Sequence, residues 1–179
     1  MRDLTKIFIE QYIDLITENK FEELYRIAYK EYLVIEDLTN TLYTADIDPL
    51  KHMNYIPVKF LYESQKSVDG FVIPDGIDSI QQHAFYETDL TEIVIPEGVT
   101  SIYSRAFGLC KNLLFVTLPH SIKFIDRAVF TGCESLAEVR YNGTLEEWNK
   151  IDRDDRWLSI SGVSTVKVIC KDGEQRWVR

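Results

Sequence analysis

The sequence predicts an α+β chain, in which a short solenoid of stacked β-strand repeats follows a small helical unit. Three observations carry this prediction. The stretch from Phe71 to Glu138 states nearly the same 22- or 23-residue pattern three times. Inside each copy, apolar residues alternate with solvent-compatible ones ahead of a proline. Residues 3–45, by contrast, carry apolar residues at helical spacing along one side only.

The helical unit comes first. Leu4, Phe8, Tyr12, Leu15 and Ile16 fall on one stripe, and Asn19 with Glu22 has the form of a capping box opening a second helix. Phe21, Leu24, Ile27, Ala28 and Tyr32 make its apolar side, with Tyr25, Tyr29 and Tyr32 at helical spacing. A third short helix uses Leu38, Leu42 and Ala45 and stops before Pro49, because the residue preceding a proline avoids the α region. One-sided helices must bury that side. They serve either as a cap on the open end of the solenoid or as a partner-binding bundle. The boundaries are 1–55 for this unit and 56–179 for the solenoid, with a closing cap at about 139–179. Within 56–68, Ile56-Pro57 and Phe60 resemble a shortened repeat, with Ile56-Pro57 matching the Ile-Pro landmark.

The repeats read FVIPDGIDSIQQHAFYETDLTE, IVIPEGVTSIYSRAFGLCKNLLF and VTLPHSIKFIDRAVFTGCESLAE. Pro74, Pro96 and Pro119 are in register, as are Ile77, Val99 and Ile122, and Ile80, Ile102 and Ile125. Phe85, Phe107 and Phe130 follow, then Leu90, Leu113 and Leu136. Ile93 and Ile95 point inward with Val94 outward; Val116 and Leu118 point inward with Thr117 outward. Each proline ends its strand, having no N–H for the ladder. Gly76 and Gly98 supply the following turn, which in the third unit is His120-Ser121. No unit can bury its own Phe and aliphatic residues, so the units must stack, roughly 4.8 Å apart, into continuous apolar columns. Phe85, Phe107 and Phe130 are expected to form one such column.

These landmarks resemble the BspA-like leucine-rich repeat: Ile95-Pro96, Val99-x-x-Ile102, Ala106-Phe107 and Cys110-x-x-Leu113. The tail YNGTLEEWNKI (141–151), Trp157 and VKVICKDG (166–173) are similar to the usual C-terminal end of such proteins. The resemblance covers roughly 56–173. It implies a solenoid that serves protein–protein interaction or adhesion, with many relatives exported. In the tail, Thr144 caps a short helix through Glu147, Trp148 and Ile151 cover the last repeat, and Val166–Cys170 forms a final strand. A polar CKDGEQRW turn is expected beyond it, with Trp177 exposed.

Net charge is −9, and the 67–138 segment holds 10 acidic and 4 basic residues. That balance disfavours a nucleic-acid backbone as ligand; it serves either solubility or attraction to a basic partner. Asp3 and Glu10 fall where the apolar core of an export signal would run, and no 18-residue apolar run occurs. An odd count of 3 cysteines argues against a disulfide framework, so a cytoplasmic protein is expected. Cys110 and Cys133 share one repeat slot, held in the first repeat by Thr88 or Asp89, and read as packing residues rather than zinc ligands. His52, His83 and His120 occupy unrelated slots, no serine sits in a nucleophile elbow, and no glycine-rich phosphate loop occurs. No catalytic residue, cofactor or metal is expected.

The outward positions of the ladder remain. One column runs Gly70, Glu92, Phe115, Glu138 and the other Val72, Val94, Thr117, Arg140. Apolar Val72, Val94 and Phe115 with a rim of Glu92, Glu138 and Arg140 have the composition of a protein-binding patch. The same pattern also arises if the N-terminal helices fold over it, or if β-branched residues simply favour strands. The sequence thus points to a non-enzymatic recognition module acting through the acidic repeat face or the helices. The alternative is a phage or mobile-element inhibitor whose acidic surface blocks a nucleic-acid groove of a host nuclease; an enzyme is a distant third. Oligomeric state is left open.

Overall fold

The computed structural model describes residues 9, 11–18, 20, 23, 24, 26, 55, 56, 71–73, 75–159 and 165–178. Most of the expected N-terminal helices, including the Asn19 cap, lie outside these residues. Helix α1 (Ile13–Thr17) has Ile16 buried and Tyr12 and Leu15 half-buried, as the stripe requires, and Leu24 is also buried.

Two ladders run along the solenoid, parallel throughout except at the last pair of the longer one. The short one orders β1 (Tyr55–Ile56), β2 (Ser79–Ile80), β4 (Ser101–Ile102), β6 (Phe124–Ile125) and β8 (Asp152–Arg153). The longer one orders β10 (Gly173–Val178), β9 (Thr165–Cys170), β7 (Glu138–Tyr141), β5 (Phe115–Leu118) and β3 (Glu92–Val94). The second and third repeats each contribute one strand to each ladder, and between the ladders lies the expected core. Ile93, Ile95, Val116 and Leu118 are buried while Val94 is 62% exposed. Gly76 and Gly98 adopt φ of +90° and +104° at the turn after the proline slot, a conformation open to glycine at little cost.

The Phe column forms as the repeat demands. The Phe85 and Phe107 rings lie 5.1 Å apart and 1° from parallel, and Phe107 and Phe130 lie 5.5 Å apart at 13°. All three are wholly buried. Backbone bonds run beside them from Phe85 N–H to Ala106 O (2.7 Å) and from Phe107 N–H to Val129 O (3.0 Å). At the neighbouring corner, Glu87 (φ 61°), Leu109 (φ 58°) and Gly132 (φ 71°) share one left-handed slot. Glu87 N–H bonds Gly108 O and Leu109 N–H bonds Thr131 O, so stacking imposes the conformation even on side chains that disfavour it.

Three expectations need correction. Ile56 pairs with Ile80 and so heads the short ladder; it does not occupy the Ile-Pro slot of the long one. A lone Ile-Pro dipeptide marks a strand end without saying which ladder the strand joins. The residues after Cys170 are not a polar turn: Lys171 and Asp172 alone connect β9 to β10, which pairs antiparallel with it along Gly173–Val178. Trp177 is consequently half-buried, set edge-on against Trp157 with centroids 5.7 Å apart. Its strand folds back over the end of the core, which local polarity could not foretell.

The cap closes the last repeat as expected. Thr144 forms a full capping box with Glu147 at the start of α2 (Leu145–Lys150), and Trp148 and Trp157 are wholly buried. Trp157 lies edge-on to Phe130 at 6.0 Å, ending the Phe column. The Arg153 guanidinium lies over the Trp148 ring at 4.4 Å and donates to the Trp148 carbonyl.

Candidate functional site

The long ladder sets the geometry of the outward face. Register pairs Glu92 with Phe115 and Phe115 with Glu138, and beside them Val94 with Thr117 and Thr117 with Arg140. From Glu92 and Val94 onward, both columns therefore stand as the repeat alignment predicts. They also continue where the repeats end, through Lys167 and Arg176 in one and Ile169 and Glu174 in the other. The alignment missed these four because β9 and β10 carry no repeat landmark. Residues 71–73 hold no place in the ladder, which begins at β3, so Val72 precedes the columns rather than joining them. Gly70 lies outside the described residues.

Exposure differs sharply among the predicted residues. Val72 and Val94 are 77% and 62% exposed, and Glu92 and Arg140 are also exposed. Phe115 departs from the expectation of a bare aromatic anchor. It is half-covered, because the Arg140 guanidinium lies 4.5 Å from its ring centroid. Arg140 is itself fixed by two bonds from its Nε and Nη2 to Glu138 Oε2, at 3.1 and 2.8 Å. The sequence places these three on neighbouring strands, but only their side-chain directions make one stack of carboxylate, guanidinium and ring. Its charges nearly cancel, and along the two extended columns Glu92, Glu138 and Glu174 are balanced by Arg140, Lys167 and Arg176.

A second polar group gathers where the long strands end, in an open cleft of about 710 Å³ lined by Glu97, His120, Asn142, Thr144, Glu147 and Lys171. The Glu97 carboxylate accepts from the backbone N–H of His120 (3.0 Å) and Ser121 (3.2 Å), and the first of these holds it below its ordinary range. Glu147 is held at about 2 by the Thr144 N–H first, then by the His120 ring and the Thr144 hydroxyl. These carboxylates are engaged in tying turns together and to α2. The arrangement is a clamp.

The shared cysteine slot is packing. Cys110 donates to Phe85 O at 2.9 Å and Cys133 to Phe107 O at 3.0 Å, each reaching one repeat back. Thr88, not Asp89, fills the slot in the first repeat, with its hydroxyl 3.3 Å from Cys110 Sγ. The bond shared with Cys110, reinforced by burial, pushes the Cys133 thiol far above its usual value and keeps it neutral. All three cysteines are free thiols.

The model of the BspA type leucine rich repeat region matches residues 54–151, in 6 copies. No curated protein matches the chain. Among solved structures, the chain is similar to a leucine rich cell surface protein from Faecalibacterium prausnitzii A2-165, with 23% identity and a TM-score of 0.37. That likeness covers 54% of this chain and 38% of the other. It is similar also to the leucine rich repeat protein of T. pallidum, with 26% identity and a TM-score of 0.38, over 59% and 54% of the two chains. In neither case does the chain span two thirds of the other protein's length.

Proposed function

The chain belongs to the BspA-type leucine-rich repeat family, and from that premise we propose that it is a non-enzymatic protein–protein recognition module that binds through the outward face of its long ladder. One observation carries the reading. Val94 stands exposed on a ladder strand whose inward neighbours Ile93 and Ile95 are locked in the core, beside the Phe115–Arg140–Glu138 stack, with the exposed Val72 preceding it. A rigid ladder loses little conformational freedom on binding, and apolar side chains flanked by an arginine-covered aromatic have the make-up of interface centres. The exposed Glu92 and the chain's net charge of −9 support a partner that presents basic groups, and the three unpaired thiols support an intracellular setting.

The test compares two opposed surfaces. Proteins captured from a lysate by the unmodified chain are re-tested against Val94→Arg and Thr117→Arg, and against Tyr103→Arg beside the short ladder. Loss of binding by roughly 30-fold or more, the effect of removing about 2 kcal/mol of interface energy, is expected for the first two only. Loss with Tyr103→Arg and retention with Val94→Arg would assign recognition to the other side of the solenoid. The association rate is expected to fall with added salt if the partner is basic.

A further inference from the structure

Strand β10 ends the long ladder, and no strand among the described residues pairs with its other edge. Unpaired backbone N–H and C=O groups on such an edge are a template for another strand. We propose that the edge is used by a second copy of this chain, β10 pairing antiparallel with β10 of its twin about a two-fold axis at Gln175. This goes beyond the recognition reading above and does not depend on it.

Parity comes first. The pairing of Gly173 with Cys170 across the two-residue Lys171-Asp172 connection directs the backbone groups of 173, 175 and 177 toward β9. Those of 174 and 176 then face the free edge. An antiparallel two-fold axis at Gln175 sets 174 of each copy opposite 176 of the other, so the two residues with outward hydrogen-bonding groups meet each other.

Side chains agree with that register. Glu174 and Arg176 are both exposed and lie on the outward face, where they already make a 3.3 Å ion pair within the strand. In the paired strands each glutamate faces the arginine of the twin, twice over by symmetry, whereas a parallel arrangement in register would oppose like charges. Gln175, on the axis, faces its own copy. Its side-chain oxygen is buried and has no hydrogen-bond partner among the described residues, and an amide of the twin would supply one. The dimer would join two five-stranded ladders edge to edge and leave Val94 free, since β3 lies at the far end.

An edge pairing is small, so assembly should depend on concentration. Sedimentation equilibrium on the full chain is expected to show a mass rising from 20.9 kDa toward twice that value. Glu174→Arg and Arg176→Glu each set like charges opposite one another and should weaken association about tenfold. The double reversal Glu174→Arg/Arg176→Glu should restore it, and so should mixing the two single variants, which then pair only with each other. Circular dichroism melts confirm that each variant is folded. A mass of one chain at the highest attainable concentration overturns the proposal. So does a dimer that ignores the single reversals, or one that the double reversal and the mixture fail to rescue.

Discussion

Replacing Phe107 with alanine probes the whole stacking argument at its centre. The ring is wholly buried and lies between Phe85 at 5.1 Å and Phe130 at 5.5 Å, so it touches aromatic faces on both sides. Emptying a buried Phe site costs about 3–5 kcal/mol, and each aromatic pair adds about 0.5–1.5 kcal/mol beyond burial. Two pairs are lost here, and the ladder bond from Phe107 N–H to Val129 O fixes the repeat spacing, so the walls cannot collapse into the space. The upper part of the range, about 4–5 kcal/mol, is therefore expected. For a chain of 179 residues that corresponds to a fall in Tm of roughly 10–15 °C. Urea melts followed by circular dichroism give the free energy directly, with the m-value checking that the denatured state is unchanged. A loss below about 1 kcal/mol would refute a continuous, close-packed column.

Phe115→Ala, by contrast, is expected to cost about 1 kcal/mol or less in the same melts, because only the Arg140 cation–π contact and part of the ring's cover are lost. Thr144→Ala removes the capping-box hydroxyl of α2 and should cost about 1 kcal/mol. Cys133→Ala strips Phe107 O of its thiol donor in a buried site and should cost about 1–3 kcal/mol in the same melts. Acid should destabilise the protein in a defined window. The folded-state pKa of Glu147 is depressed to about 2 from 4.5, so its contribution is complete above about pH 4.5 and lost as pH falls toward 2. Glu97 and Asp154 are shifted in the same direction. Urea midpoints should therefore drop across that window, and by less in Glu147→Gln.

The sequence by itself determined the repeat, its register and its core. Prolines, β-branched residues and Phe recur at fixed spacing, and a column needs nothing more than the same residue in the same slot of each unit. Val94 outward and Ile93 inward follow from the period of two in the same way. The Thr144 cap was legible too, because its partner Glu147 lies three residues away. What lay beyond reach was set by contacts between segments of unlike sequence. The left-handed corner at Glu87 and Leu109 carries no glycine, and only the hydrogen bonds of the next repeat hold it. Ile56 joined the short ladder because strand pairing, not its dipeptide, chose the register. The cover on Phe115 depends on the direction taken by Arg140 from the adjoining strand. Trp177 is half-buried because β10 doubles back on β9, and its neighbours Glu174 and Arg176 look like turn residues until that pairing gives them a face. Local periodicity reports what a residue does within its own unit. The outer surface and the two ends of this solenoid were decided by pairing between units, where each residue's partner comes from a different part of the chain.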